Sequence, residues 1–310
     1  MKKILLSMLC LMMAGIQSVK AQVAIAALHH NDSVTIYSAS GIQSAIDKSV
    51  AGDTIYLSEG IFGGFTVDKP IVIIGAGQTT MISSHIYLGK DSSTSNIETG
   101  LLLSGLNIIQ GVYFRGAIVG ARIMQCKIDG TCSFSTVSYA SFDNIEIIMS
   151  QLNQLSPSSY VKGLSVVSSK ITQVSSDGDY EGSVTILNCN INDAGTGVST
   201  QNNNYVNCII NKFAYGVYTN CLYNSTYSSA VVSNCYQNPD LTLDDDLNCS
   251  LTDEQLKDAG YLGTDNTVVG ITGGEVQFSL VMPVVQVTEH NVEIDQAERK
   301  LKVTLKLGNK

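Results

Sequence analysis

The chain has no Trp, only 4 Pro, and only 18 Lys and Arg together in 310 residues. Arginine is the rarest charge, present only as Arg115, Arg122 and Arg299. Neutralising a phosphate backbone requires clustered Lys and Arg, so a chain with 27 acids and a net charge of −9 excludes nucleic acid as a partner. So little Pro excludes a collagenous chain, and 44% hydrophobic residues excludes a disordered one. There is no Cys-x-x-Cys, and His29, His30, His85 and His290 lie away from the cysteines, which removes support for zinc ligation. Beyond the N-terminal stretch no apolar run approaches the roughly 18 residues of a membrane-spanning helix, so no span is expected.

What is present begins with a leader pattern. Met1-Lys2-Lys3 is basic, Ile4 to Ile16 is apolar, and Val19-Lys20-Ala21 puts small residues at the −3 and −1 positions. Residues 1–21 therefore read as a signal peptide cleaved before Gln22, and the protein is expected outside the cytoplasm, in the periplasm, on the surface or beyond. Cys10 follows the bulky Leu9, which argues against lipid modification. Cleavage also removes three lysines and brings the net charge to −12.

Seven cysteines remain, an odd number that cannot close a disulfide framework. Asn188-Cys189, Asn207-Cys208, Asn220-Cys221, Asn234-Cys235 and Asn248-Cys249 repeat one dipeptide, and Gln125-Cys126 is a looser sixth case. Cysteine behaves as a small buried apolar residue, so these read as stacked core thiols. The Asn spacings are 19, 13, 14 and 14 residues. A span of 13 or 14 is short for a coil, and the spacing predicts two Asn corners per coil there, with Asn side chains hydrogen-bonding along the stack.

Gly41–Val50 reads as a short amphipathic helix capped by Ser40, with Ile42, Ala45, Ile46 and Val50 on one face. From Asp53 onward short strands are separated by Gly, Ser, Asn and Asp: Thr54–Leu57, Ile71–Ile74, Leu101–Leu103, Gly163–Val167, Ser183–Leu187 and Ala230–Val232. Asp253–Ala259 is the one further helical candidate. Strands without intervening helices, together with the internal repeat, select a solenoid.

The segment GIQSAIDKSVAGDTIYLSEGIFGGFTVDKPIVIIGAGQTTMI (41–82) resembles the opening of pectate-lyase-like right-handed parallel β-helix proteins. There a capping helix leads into a Gly-Asp-Thr-Ile strand, a Lys-Pro-Ile strand and a Gly-x-Gly turn. Asn238-Pro239-Asp240-Leu241 through Val269-Gly270-Ile271-Thr272-Gly273-Gly274 resembles the closing coil of exported bacterial members. The resemblance implies an all-β, single-stranded right-handed parallel β-helix with an N-terminal capping helix. The superfamily hosts lyases, hydrolases, epimerases, adhesins and inert scaffolds, so it assigns no activity.

The expected layout is a signal peptide (1–21), the β-helix (22–274) and a C-terminal antiparallel β-hairpin (275–310) acting as cap or tail. In the hairpin, Asp295 faces Lys300, Glu293 faces Lys302, Asn291 faces Thr304 and Glu289 faces Lys306; Ile294 faces Leu301 and Val292 faces Val303. We expect it to cover the open edges of the last coil, with contact to a protein partner as the alternative.

Motifs of the catalytic members are missing. Trp-Ile-Asp-His, Arg-x-Pro-x-x-Arg and His-Gly are all absent; outside that family, the Gly-x-Ser-x-Gly elbow is absent too, and Gly75-Ala76-Gly77 lacks the third Gly of a dinucleotide fingerprint. Three patterns stand out instead. Arg115, Arg122 and Lys127 fall close together with Asp129 beside them, as catalytic candidates acting on a uronate carboxylate. Asp177, Asp179 and Glu181 alternate as in a calcium loop, but position twelve is Asn188 and not Glu, which favours a polar turn without a cofactor. Tyr215, Tyr218, Tyr223 and Tyr227 lie in a Tyr-dense stretch that offers stacking platforms for sugar rings. The expected function is non-catalytic binding of polysaccharide, or surface scaffolding. A polysaccharide lyase or glycoside hydrolase, and an adhesive rod, are the alternatives.

Overall fold

The computed structural model describes residues 23–90, 96–138, 140–175, 184–195, 202–213, 215–226 and 230–282, together with the backbone of 285–295 and 300–309. The leader, Asp177, Asp179, Glu181, Tyr227 and the hairpin turn lie outside the described residues.

The body is a β-solenoid of parallel stacked sheets. One sheet runs Thr54–Leu57, Val72–Ile74, Leu102–Ser104, Arg122–Met124, Ile145–Ile148, Leu164–Val167, Val184–Leu187, Asn203–Val206, Val217–Thr219 and Val231–Ser233, each parallel to the next. A second sheet faces it, running from Gly60–Phe62 to Tyr236–Gln237, and a short third one joins Asn96–Ile97, Ala117–Val119 and Ser141–Asp143. Inward residues alternate with outward ones: Ile55, Ile73, Leu103, Ile123, Ile147, Val166, Ile186, Tyr205 and Tyr218 form one fully buried row. Small β-branched side chains stack rung on rung in such a row, which is why the strands are rich in Ile and Val.

Coil length follows from register on the first sheet. Thr54↔Val72 and Val72↔Leu102 are 18 and 30 residues apart, Glu146↔Ser165 and Ser165↔Thr185 are 19 and 20, and Asn204↔Val217 and Val217↔Val231 are 13 and 14. The short spacing is thus a complete coil with a single Asn corner, which corrects the reading of two corners per coil. A 13-residue coil closes because it keeps the two facing strands and drops the third side.

The corner between the two main sheets is a column of left-handed residues: Gly105, Gln125, Met149, Ser168, Asn188, Asn207, Asn220 and Asn234, with φ from 46° to 64°. Asn tolerates this region better than other residues with a β-carbon, which explains the repeated dipeptide. The residue after each corner forms a second column. Cys126 N–H donates to Ser150 Oγ (3.2 Å), Ser150 N–H to Ser169 Oγ (3.1 Å), Ser169 N–H to Cys189 Sγ (3.3 Å) and Cys221 N–H to Cys235 Sγ (3.4 Å). All seven described cysteines are free, and five are buried. Burial pushes the Cys126 and Cys132 thiols up to about 12 and raises Cys208 and Cys221 well above the ordinary value.

The corner amides do not bond each other as expected. Corner residues Asn207, Ser168 and Gln125, together with Asn190 and Asn224 on the second sheet, hold a strap, residues 239–282, that runs back along the corner from the last coils toward the first. Asn224 donates to the Pro239 and Leu241 carbonyls (2.8 and 2.7 Å), and Asn207 Oδ1 accepts from Thr264 N–H (3.0 Å). Asn190 donates to the Leu247 carbonyl (2.9 Å), Ser168 Oγ to that of Val276, and Gln125 to that of Val281 (3.0 Å). Buried Lys170 donates to Asn248 Oδ1 (2.7 Å) under the Phe278 ring. Asn248-Cys249 therefore belongs to the strap, and the positive φ there falls on Leu247.

At the N-terminal end Ile25–His30 and Ser33–Ser38 add two antiparallel strands. The helix Ile42–Lys48 buries Ile42, Ala45 and Ile46, but Gly41 stands at its N-cap and Ser40 makes no capping bond to it. The second helix, Asp253–Asp258, carries a full capping box from Thr252 and Gln255. The hairpin pairs Val285–Asp295 with Lys300–Asn309 in the expected register, Asp295 opposite Lys300 and Val292 opposite Val303. The strap ends with Met282 against Gly77 and Gly105, near the first coils, and the last coil stays open, with inward-facing Val232 at 50% exposure.

Candidate functional site

The three basic candidates do not converge. Arg122 lies on Arg122–Met124 of the first sheet and is paired with Glu146 at 2.5 Å. Lys127 starts Lys127–Phe134 of the second sheet and is paired with Asp129 at 3.2 Å. Arg115 follows Gly111–Phe114, on another strand of that sheet system. Neighbours in a solenoid sequence turn corners, so five to seven residues along the chain carry them to different strands. A recess of about 380 Å³ adjoins Arg122, with Thr99, Gly100, Leu101 and Asn144 on its walls, but the guanidinium there is occupied by Glu146.

The Tyr stretch is divided: Tyr205 and Tyr218 are buried, Tyr215 and Tyr223 half-buried, and Tyr236 exposed. Tyr218 is wholly buried, stacked on Tyr205 with centroids 4.5 Å apart and on Phe213 at 4.0 Å, and its hydroxyl donates to the Tyr215 carbonyl (2.6 Å). Tyr223 is half-buried, edge-on to Phe213 at 4.9 Å, and Tyr215 is half-buried beside the column. Tyr218 is therefore a core residue and not a sugar platform. Its β-strand alternation places it in the same inward row as Ile186.

A surface cluster of the sought kind lies elsewhere, on the outward face of His85–Leu88 and Gly111–Phe114. Ile86, Leu88, Val112 and Phe114 point inward and are fully buried, so alternation turns His85, Tyr87 and Tyr113 outward. Tyr87 and Tyr113 are register partners with centroids 5.6 Å apart and planes 33° from parallel. His85 sits opposite Gly111, where no side chain competes, and its ring meets Tyr113 edge-on at 5.0 Å. The Arg115 guanidinium lies over the Tyr87 ring at 3.8 Å. Gly89 makes this approach feasible: at φ 82° it lets the Arg115 carbonyl come where a β-carbon would stand 2.0 Å away.

Polar groups extend the cluster along the same face. Thr66 and Ser133 flank the two tyrosines in register, and Thr131 donates to Gln154, which donates to Ser175. A shallow cavity of about 230 Å³ opens beside Tyr113 and Arg115, bounded by Ser133, Ser135 and Thr136. Chemically this is a pair of tilted aromatic faces with phenol hydroxyls, an imidazole and a guanidinium. The phenol hydroxyls and the imidazole are groups that can hydrogen-bond sugar hydroxyls, and uncovered ring surface can meet the apolar face of a sugar, while the Arg115 guanidinium already covers one face of Tyr87. Sequence reasoning had Arg115 but missed Tyr87 and Tyr113, because 26 residues separate them; the long early coil hides the partnership.

Among the described residues no group of three or more His, Cys, Asp or Glu could hold a metal ion, and no helix is long and apolar enough to cross a membrane. No family model matches this chain, and neither a curated protein nor a solved structure does.

Proposed function

We propose that the chain is an exported, non-catalytic β-solenoid that binds polysaccharide along one face, with Tyr87 and Tyr113 as the platform. The observation that carries this reading is the outward Tyr87–Tyr113 pair under the Arg115 guanidinium. Rungs repeat at about 4.8 Å, a spacing that lets successive side chains meet successive sugars of a chain laid along the axis. The leader-like N-terminus supports an exported role. A lyase or hydrolase has less support, because Arg115, Arg122 and Lys127 lie on or after three different strands and form no shared basic site.

The test is affinity electrophoresis and calorimetry of the mature protein on uronate-containing and neutral polysaccharides, with reducing ends and unsaturated-uronate absorbance read in parallel. Binding to polysaccharide is expected, with no turnover. Tyr87→Ala and Tyr113→Ala should each abolish most of it. Equal retention of wild type and the Tyr87→Ala protein would sink the assignment.

A further inference from the structure

The two ends of the solenoid are finished differently. The N-terminal end is sealed by Ile42–Lys48, whose outer residues Ser44, Asp47 and Lys48 are polar and exposed. The C-terminal end stops at Val231–Ser233 and Tyr236–Gln237, which pair on one side only. Val231 is 63% exposed, Val232 50% and Tyr236 37%. Val232 continues the inward row of Tyr205 and Tyr218, so the core itself is open there. A sheet edge is ordinarily protected by charges, Pro or a bulge. Here residues 213–238 contain no Asp, Glu, Lys, Arg or Pro, in a chain that is 15% charged.

We infer that this open end is a dimer interface, occupied by the same end of a second copy about a two-fold axis. An isologous contact sets each residue beside its own counterpart, which an acidic chain tolerates only through an uncharged patch. The sealed N-terminal end offers Asp47 and Lys48 and does not match an apolar core. The backbone fits as well. Val231 N–H donates to the Gly216 carbonyl and the Ser233 carbonyl accepts from Asn220 N–H. The alternation of a parallel ladder then turns the N–H and C=O of Val232 toward the open side. Two copies related by a two-fold axis at Val232 exchange those groups as an antiparallel hydrogen-bonded pair, and the first sheet runs on through both molecules.

The experiment measures the mass of the mature protein by light scattering and sedimentation over a wide concentration range, for wild type, Val231→Lys and Val232→Cys in a Cys235→Ser background. A dimer is expected. In a hydrogen-bonded antiparallel pair the opposed Cα atoms are about 5.5 Å apart, within disulfide reach, so mild oxidation of the Val232→Cys protein should give a covalent dimer. Val231→Lys points into solvent in the monomer and should leave a folded monomer by circular dichroism. A wild type that is monomeric throughout overturns the inference. So does a dimer that ignores Val231→Lys and fails to cross-link. Longer assemblies broken by Val34→Lys, on the opposite edge strand Ser33–Ser38, would mean head-to-tail stacking and would also overturn it.

Discussion

Tyr218 lies flat on Tyr205, with ring centroids 4.5 Å apart and planes within 5° of parallel, on two successive coils at the narrow end of the rod. The pair fills the space that two rows of Ile and Val fill elsewhere, and both hydroxyls are spent on nearby carbonyls, those of Ala194 and Tyr215. Large planar side chains suit a coil that has lost its third side, because one stacked ring spans the remaining gap.

Tyr218→Ala should therefore cost about 3–5 kcal/mol, the usual penalty for emptying a buried aromatic site. Tyr218→Phe should cost about 1 kcal/mol, for the lost hydrogen bond to Tyr215. Urea denaturation monitored by circular dichroism checks both, and neither change should alter glycan retention by the folded protein.

The corner column gives a second prediction. Asn220 is held at φ 50°, and Ala pays roughly 1–2 kcal/mol to enter that region while Gly pays almost nothing. Asn220→Ala should lower the unfolding free energy by about that amount, with Asn220→Gly close to wild type. An equal loss for both would mean that the amide, and not the backbone, is what the corner requires.

Thiol chemistry should follow burial. Cys126 and Cys132 are wholly buried and raised to about 12, so at neutral pH they should stay unmodified by a soluble alkylating reagent while the protein is folded. Cys235 and Cys249, only partly covered, should be labelled first. Denaturation without reductant should expose all seven, as mass spectrometry of the labelled chain would show; fewer would reveal disulfides.

Acid sensitivity should centre on Asp53. Burial pushes its pKa up, but the Val50 N–H (2.8 Å) and His30 Nδ1 (2.8 Å) outweigh this and hold it below the ordinary carboxylate value. A carboxyl depressed on folding stabilises above its unfolded value of about 3.9 and loses that contribution as pH falls through the folded value. Thermal stability should thus drop on acidification below about pH 4, and Asp53→Asn should flatten that part of the profile while lowering stability at neutral pH.

Much of the architecture was legible in the chain. Thr54–Leu57 has the expected bounds, Asp253–Asp258 is the expected second helix, and the hairpin register follows from charge meeting charge and apolar meeting apolar. The Asn-Cys dipeptide marked the right place, since one residue had to bend and the next had to be small. Its count per coil was misjudged because the sequence does not reveal that a coil can close with two sides. Tyr density says nothing about facing: Tyr218 and Tyr113 differ only in which side of their strand points inward.

By itself, then, the sequence determined the local rules of this protein: short strands, left-handed Asn corners, buried thiols, an uncharged terminal coil and a self-complementary hairpin. These depend on backbone sterics and on alternation over a few residues. Only the tertiary structure decided that Tyr87 meets Tyr113 under Arg115, that Arg122 and Lys127 part company, and that residues 239–282 return along the corner. Those outcomes hang on coil length, which varies from 13 to 30 residues while the inward row stays in register, so spacing along the chain does not reveal which side chains meet.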